Sequence, residues 1–362
     1  MKKTERIHLS HSLNIILLLL IGISMMMLMS GCSMRQEKND SSLVVFNYGD
    51  YIDRDTITMF EEETGIRVKY EEYLTPEDMY TKYSSKVIDY DLICTSDYMI
   101  QKMNVEGKLL PVDTSQMEYY ENTDPRYLDF CKTFDPGNQY ALPYLWGTVG
   151  ILYNEKMVRD KVDSWSILWN EKYKNQVIMQ NSMRDAFLVP LKIMGASLNT
   201  EDQKELKAAQ EMLYQQKPLV EAYLVDEIRD AMIAGDAAIA VTYSGDATEA
   251  MDANEDLRYV VPKEGSNVWF DCWAIPDSAK HKKEAEKFID FMNREDIARM
   301  NFEYIYYGTP NKKVFESLDE DTREDETIFP PEDVLDKCEV YQYLGEKTDR
   351  YYNRLWKELK AY

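Results

Sequence analysis

Residues 43–51, Leu43-Val44-Val45-Phe46-Asn47-Tyr48-Gly49-Asp50-Tyr51, run an apolar stretch of strand composition into a Gly-Asp turn. Outward from it, Arg54–Glu63 is amphipathic and stops at Gly65, a residue suited to a left-handed helix end. Ile66–Tyr70 reads as the next strand and Pro76–Ser85 as a helix. Asp91–Cys94 is a short apolar strand, after which Ser96 can cap a helix that runs to Glu106 and closes at Gly107. Three strand–helix units in succession predict an α/β fold, with a parallel or mixed sheet covered by helices.

Residues 139–153 are extended, apolar and interrupted by Pro143, Gly147 and Gly150, the composition of a strand crossing between two lobes. A second rhythm follows. Val177–Met179 reads as a strand, Arg184–Met194 as a helix ending at Gly195, Asp202–Gln216 as a long polar helix and Asp226–Ala234 as a helix ending at Gly235. Ala238–Val241 and Arg258–Val261 read as strands, Cys272–Ile275 as a returning strand and Ala279–Met292 as a helix. The acidic run 319–326 lacks the glycine and ligand spacing of a calcium loop and is solvated surface. Tyr351–Tyr362 reads as a terminal amphipathic helix.

The N-terminus sets the compartment. Lys2, Lys3 and Arg6 precede the apolar run Ile15–Met29, which is shorter than the ~20 residues of a spanning helix and ends in small residues, so residues 1–31 read as a signal peptide. Cys32, directly after Ser30-Gly31, resembles the lipidated cysteine of a bacterial lipobox, with Met29 in place of the usual leucine. Residues 32–42 then form a polar tether. Removing 1–31 takes away Lys2, Lys3, Arg6 and Glu5, moving the net charge from −23 to −25. Such acidity argues against nucleic acid and anionic substrates and suits a cationic ligand. About 330 remaining residues exceed one typical core, which predicts two lobes.

Cys94, Cys131, Cys272 and Cys338 form no CxxC and read as isolated buried thiols. His281 is the only histidine beyond the leader, which removes His-based metal sites and most Ser-His or Cys-His catalysis.

Three times an aromatic residue stands two or three positions before an aspartate: Tyr48/Asp50, Tyr243/Asp246 and Trp269/Asp271. The first two follow apolar strands, and ligands of α/β sheets bind beyond the carboxyl ends of strands. A ring face beside a carboxylate attracts an organic ammonium through the ring quadrupole and the fixed charge together.

Phe46-Asn47-Tyr48-Gly49-Asp50-Tyr51, Phe60-Glu61-Glu62-Glu63-Thr64-Gly65-Ile66, Tyr90-Asp91-Leu92-Ile93, Leu142-Pro143-Tyr144-Leu145-Trp146-Gly147, Trp269-Phe270-Asp271 with Ala274-Ile275-Pro276, and Gly308-Thr309-Pro310-Asn311 occur in this order and spacing. Together they make the chain, from about Leu43 to its end, resemble the spermidine/putrescine-binding proteins of bacterial polyamine ABC importers. The resemblance implies a two-lobed periplasmic-binding-protein-like fold of type II, with a hinge and a central ligand cleft. Lobe one would span residues 43–144 with 273–310, and lobe two 145–272 with 311–362.

The family's site falls on Tyr48, Asp50, Tyr51, Ser96, Tyr98, Asp185, Tyr243, Trp269, Asp271 and Tyr307. Tyr48 and Tyr243 stand where the family carries tryptophan, and Asp50 where it carries glutamate. Asp271 is expected to bind an amine at mid-chain, and the acid of Arg184-Asp185 also to bind an amine. A second carboxylate three residues before Asp185 is replaced by Ser182, and a contributing glutamine aligns with either Gln342 or Tyr341. Asp246 has no counterpart and stays outside the set.

The implied protein is a monomeric receptor, lipid-anchored to the outer face of the membrane or periplasmic. It delivers a small-molecule polyamine to a membrane permease, with no cofactor, metal, catalysis or nucleic acid. A receptor of the same fold for ferric iron or a sugar is the first alternative, since Tyr119-Tyr120, Tyr306-Tyr307 and Tyr351-Tyr352 are adjacent tyrosines. An exported hydrolase using paired carboxylates is the second.

Overall fold

The computed structural model describes residues 42–362. The signal peptide, Cys32 and the tether as far as Ser41 lie outside the described residues, while Ser42 already belongs to the first strand. Strand β1 (Ser42–Tyr48) lies parallel to both β2 (Arg67–Tyr73) and β3 (Leu92–Ser96). Helices α1 (Arg54–Thr64) and α2 (Pro76–Ser84) make the connections, and α3 (Asp97–Val105) leaves β3. Gly65 ends α1 in the left-handed conformation, its N–H closing on the Glu61 carbonyl.

A two-residue strand β4 (Leu109–Leu110) and helix α4 (Pro125–Cys131) lead to the long strand β5 (Ala141–Asn154). The chain then continues through β6 (Val177–Gln180), α5 (Met183–Ile193), α6 (Gln203–Gln216), β7 (Val220–Leu224), α7 (Glu227–Ala234), β8 (Ile239–Tyr243), α8 (Ser244–Ala253) and β9 (Leu257–Val260). Strand β10 (Val268–Pro276) returns, followed by α9 (Lys282–Met292), α10 (Glu295–Ile305), short helical turns and the terminal helix α11 (Gly345–Ala361).

The sheet runs β2-β1-β3-β10-β5-β8-β6-β7, with β4 beside β10 and β9 beside β5. Its two halves meet on β5, which pairs antiparallel with β10 over Ala141–Thr148 and with β8 and β9 beyond Val149. A register shift interrupts the β5–β10 ladder: Asp271 faces Leu145 but Cys272 faces Pro143, leaving Tyr144 without an opposite number. Such a bulge lets a proline sit in an interior strand where an N–H would be needed. This is the two-lobed type II architecture: each half of the sheet carries helices and its own cores.

In the first half, Phe60 is fully buried and meets Phe288 and Phe291 edge-on, at centroid distances of 5.0 and 5.3 Å. Burying one such ring stabilises by about 1.5–3 kcal/mol. The second half closes over Trp165, Phe187, Leu213 and Tyr352. Trp146, Val268 and Phe270, which the resemblance assigns to lobe two, share a core with Phe46 and Met103. Val314 and Ile328, assigned likewise, cluster with Ala298 and Phe302 of α10.

Helix α9 starts at Lys282, three residues later than its sequence predicts, because buried Asp91 captures the N–H groups of Lys280 and His281 and turns the chain there. His281 also sets Nδ1 at 3.1 Å from the same carboxylate. All four cysteines of the described residues are free thiols, three of them buried. No described helix is long and apolar enough to cross a membrane.

A third segment joins the two halves. Glu339 donates its N–H to the Ser266 carbonyl (2.9 Å) and accepts from Val268 N–H (3.1 Å), adding residues 338–340 beside the start of β10. Gly265 makes the approach: its φ is +83°, and a Cβ there would collide with the Lys337 carbonyl. Gly265→Ala combines a disfavoured backbone with a clash, so it should lower unfolding free energy by about 2–4 kcal/mol. Urea denaturation measures this, and an unchanged midpoint would show that the approach is not required.

Candidate functional site

Asp271 sits on β10 at the bulge, opposite Ser96 of β3, and is 8 % exposed. Its Oδ2 accepts from the Tyr51 hydroxyl at 2.8 Å and its Oδ1 from the Tyr48 hydroxyl at 3.2 Å. Tyr48 ends β1, and Tyr51 lies in the loop after it, fixed by its carbonyl, which accepts from Asn47 Nδ2 and the Tyr144 hydroxyl. Burial pushes the Asp271 carboxyl up to about 6, against the two phenols, which hold it down. The same burial, with the Asp271 charge, raises both phenols well above the ordinary tyrosine value, so they remain neutral donors.

A second carboxylate repeats this arrangement in the other half. Asp185 lies in the first turn of α5 and is buried. It accepts from Tyr243 at 2.8 Å (Oδ2) and from Tyr341 at 3.0 Å (Oδ1). Ser182, where the resemblance leads one to expect a second acid, caps this helix by accepting from the Asp185 N–H.

Aromatic rings connect the two carboxylates without a break. Tyr51 lies 5.9 Å from Tyr307, Tyr307 4.8 Å edge-on from Trp269, and Trp269 6.2 Å edge-on from Tyr243. Two glycines make room for this run. A Cβ at Gly147 would fall 2.6 Å from the Trp269 ring, and one at Gly245 would collide with the Tyr307 ring. The Trp269 indole N–H and the Ser96 hydroxyl are buried and find no partner within the protein, two polar groups left for something else to satisfy.

The remaining sequence-derived residues are placed less uniformly. Ser96 occupies the N-cap of α3 but its side chain makes no capping bond. Tyr98 packs against cores of both halves, with its hydroxyl donated to Glu77 at 3.0 Å. Asp50 is exposed, with φ of +49°, in the turn between Tyr48 and Tyr51. Of the pair left open, Tyr341 reaches Asp185, whereas Gln342 is held through its backbone by Asn199 and Arg184.

Two acids went unused by sequence reasoning. Asp97, fully buried beside Asp271, accepts from the Tyr98 and Phe270 N–H groups. Asp246, half-buried in the first turn of α8, is pushed up to about 7 by burial and then by Asp226 and Glu249. Of the three adjacent tyrosine pairs, only Tyr307 joins the aromatic run; Tyr352 is core, and Tyr119 and Tyr120 begin a helical turn elsewhere. Among the described residues no group of three His, Cys, Asp or Glu side chains could hold a metal ion.

A fold of two halves on crossing strands, with buried carboxylates and aromatics between, defines a solute receptor. Residues 55–330 match the bacterial extracellular solute-binding protein family, and the chain belongs to it. It is 34% identical, over 91% of its length and 95% of the relative's, to a spermidine/putrescine-binding periplasmic protein of Salmonella typhimurium. A putrescine-binding periplasmic protein of Pseudomonas aeruginosa is 30% identical over 92% of this chain and 95% of its own. Among solved structures, the spermidine/putrescine ABC transporter substrate-binding protein PotD of Streptococcus pneumoniae superposes with a TM-score of 0.79 at 41% identity, covering 89% of this chain and 99% of that one. These relatives are binding proteins.

The phenols' hold on Asp271 is open to direct measurement. Tyr51→Phe removes the 2.8 Å donor that favours the carboxylate, so the Asp271 titration midpoint should rise above about 6. Carbon-13 NMR of the side-chain carboxyl reads this, and a midpoint that stays put or falls would show the bond to be absent in solution.

Proposed function

We propose that the protein captures a linear di- or polyamine between the two halves of its sheet and passes it to the permease of an ABC importer. The observation that carries this reading is the pair of buried carboxylates, Asp271 and Asp185, joined by the aromatic run Tyr51–Tyr307–Trp269–Tyr243. Two fixed negative charges separated by apolar ring surface match a molecule with two cationic ends and methylenes between. Ammonium groups are costly to desolvate unless each meets a charged acceptor, and the donors already on both carboxylates are neutral phenols. Methylene groups stacked on Trp269 and Tyr307 would bury apolar area, and ring faces add cation–π attraction.

In this reading Tyr48, Tyr51, Ser96, Tyr98, Tyr243 and Tyr307 line the site, the unpartnered Ser96 hydroxyl accepting from an ammonium. Asp50 sits at the rim. Two lobes built around the halves of the sheet close on the ligand by hinge motion at the crossing strands, and the closed form is what the permease recognises. No covalent chemistry takes part. Cys32, lipidated after removal of residues 1–31, anchors a monomeric receptor to the outer face of the membrane. The charge of −25 left after that removal supports a cationic ligand.

Calorimetric titration with putrescine, spermidine and spermine tests the reading, and absence of heat together with absence of a thermal shift for all three would sink it. Asp271→Asn removes the charge but keeps the shape. It should weaken amine binding at least tenfold, the loss of about one charge-assisted hydrogen bond; unchanged affinity would take this carboxylate out of the site.

Proton linkage gives a further expectation. Only ionised Asp271 attracts an ammonium, and its carboxyl titrates at about 6. Affinity should therefore be level above pH 7 and fall as pH drops through about 6, by up to tenfold per unit. Affinity independent of pH between 5 and 7 would contradict the role given to Asp271.

A further inference from the structure

Residues 340–343 pass the site as a strap: Val340 packs into the core of the first half, while the hydrogen bonds of residues 340–342 go to the second half. Asn199 holds it twice, donating Nδ2–H to the Val340 carbonyl at 2.9 Å and accepting the Gln342 N–H at 2.8 Å. Arg184 donates to the Gln342 carbonyl at 3.2 Å and to Asn199 Oδ1 at 3.1 Å, with its guanidinium 4.3 Å from the centre of the Tyr341 ring. Tyr341 itself reaches Asp185.

The next residue changes sides. The Tyr343 N–H donates to Gln101 Oε1 at 2.7 Å, and Gln101 lies on α3, whose neighbours Ile100 and Met103 belong to the core of the first half. One four-residue strap thus touches a buried site carboxylate with its second residue and the opposite half of the molecule with its fourth.

We infer that this strap couples occupancy of Asp185 to fastening of the two halves, with Gln101 and Asn199 as positioning residues for ligand retention. The inference rests on the amine reading of the site. A cation on Asp185 immobilises the carboxylate and, through it, the Tyr341 hydroxyl. The strap is thereby held with its Tyr343 N–H presented to Gln101, and separation of the halves has to break that bond. The latch therefore slows release and leaves capture, which occurs with the halves apart, unaffected.

Gln101→Met keeps the length of the side chain and removes its acceptor; Gln101→Glu keeps an acceptor. Stopped-flow or surface-plasmon measurements with putrescine and spermidine should show dissociation from Gln101→Met faster by roughly two- to twelvefold, the net worth of one hydrogen bond. Association should stay within about twofold of wild type, the usual insensitivity of association rates, and Gln101→Glu should behave as wild type. An unchanged dissociation rate in Gln101→Met, or equal acceleration in both variants, overturns the inference. Absence of amine binding by the wild type would count against the function proposed above. Because the latch engages only on an occupied site, that outcome overturns the inference as well.

Discussion

The structure between the two halves depends on one electrostatic constraint: a carboxylate taken out of water without a protein cation beside it. Isolated burial of that charge is costly enough that the group protonates instead. Asp271 is brought close to that limit, and the phenols of Tyr48 and Tyr51 keep its carboxyl as low as about 6. A lysine or arginine in their place would hold the charge more firmly and would also neutralise it. Phenols stabilise the carboxylate and leave its attraction for an external cation intact. Asp185 likewise accepts hydrogen bonds from two phenols, those of Tyr243 and Tyr341, so the arrangement recurs once in each half.

Much of the surrounding architecture serves to deliver those phenols. Tyr48 and Tyr243 are the last residues of β1 and β8, where a strand of an α/β sheet ends and a ligand is met. Tyr51 needs the short loop pinned by Asn47 and Tyr144, and Tyr341 needs the strap held by Asn199 and Arg184. Gly147 and Gly245 are the steric counterpart of the same requirement, because any Cβ at either would displace a ring of the connecting run.

The alternation of strands and helices was legible because it is encoded locally. Gly65, Gly107, Gly195 and Gly235 all adopt positive φ where the sequence marks a helix end. Trp269/Asp271 and Tyr48/Tyr51 were legible for the same reason, as they stand within three residues of each other on or beside a strand. Tyr341 was legible only as one of two positions left open by the resemblance, because its tie to Asp185 spans 156 residues and no local pattern chooses it over Gln342. Helix α8 was missed because Ser244-Gly245-Asp246 has turn composition, while the helix there is set by packing of Ala247 and Ala250. The exposed position of Asp50 follows from the Gly-Asp turn itself, whose left-handed residue faces outward between two inward-facing tyrosines.

The bulge between Asp271 and Cys272 carries a mechanical consequence. In a regular ladder, β5 and β10 could shift against each other by a residue pair and recover the same hydrogen bonds. With Tyr144 left over and its hydroxyl tied to the Tyr51 carbonyl, only one register returns every bond. The two strands that link the halves therefore behave as a keyed joint: translation along them is blocked, and bending across them is the motion left to the molecule.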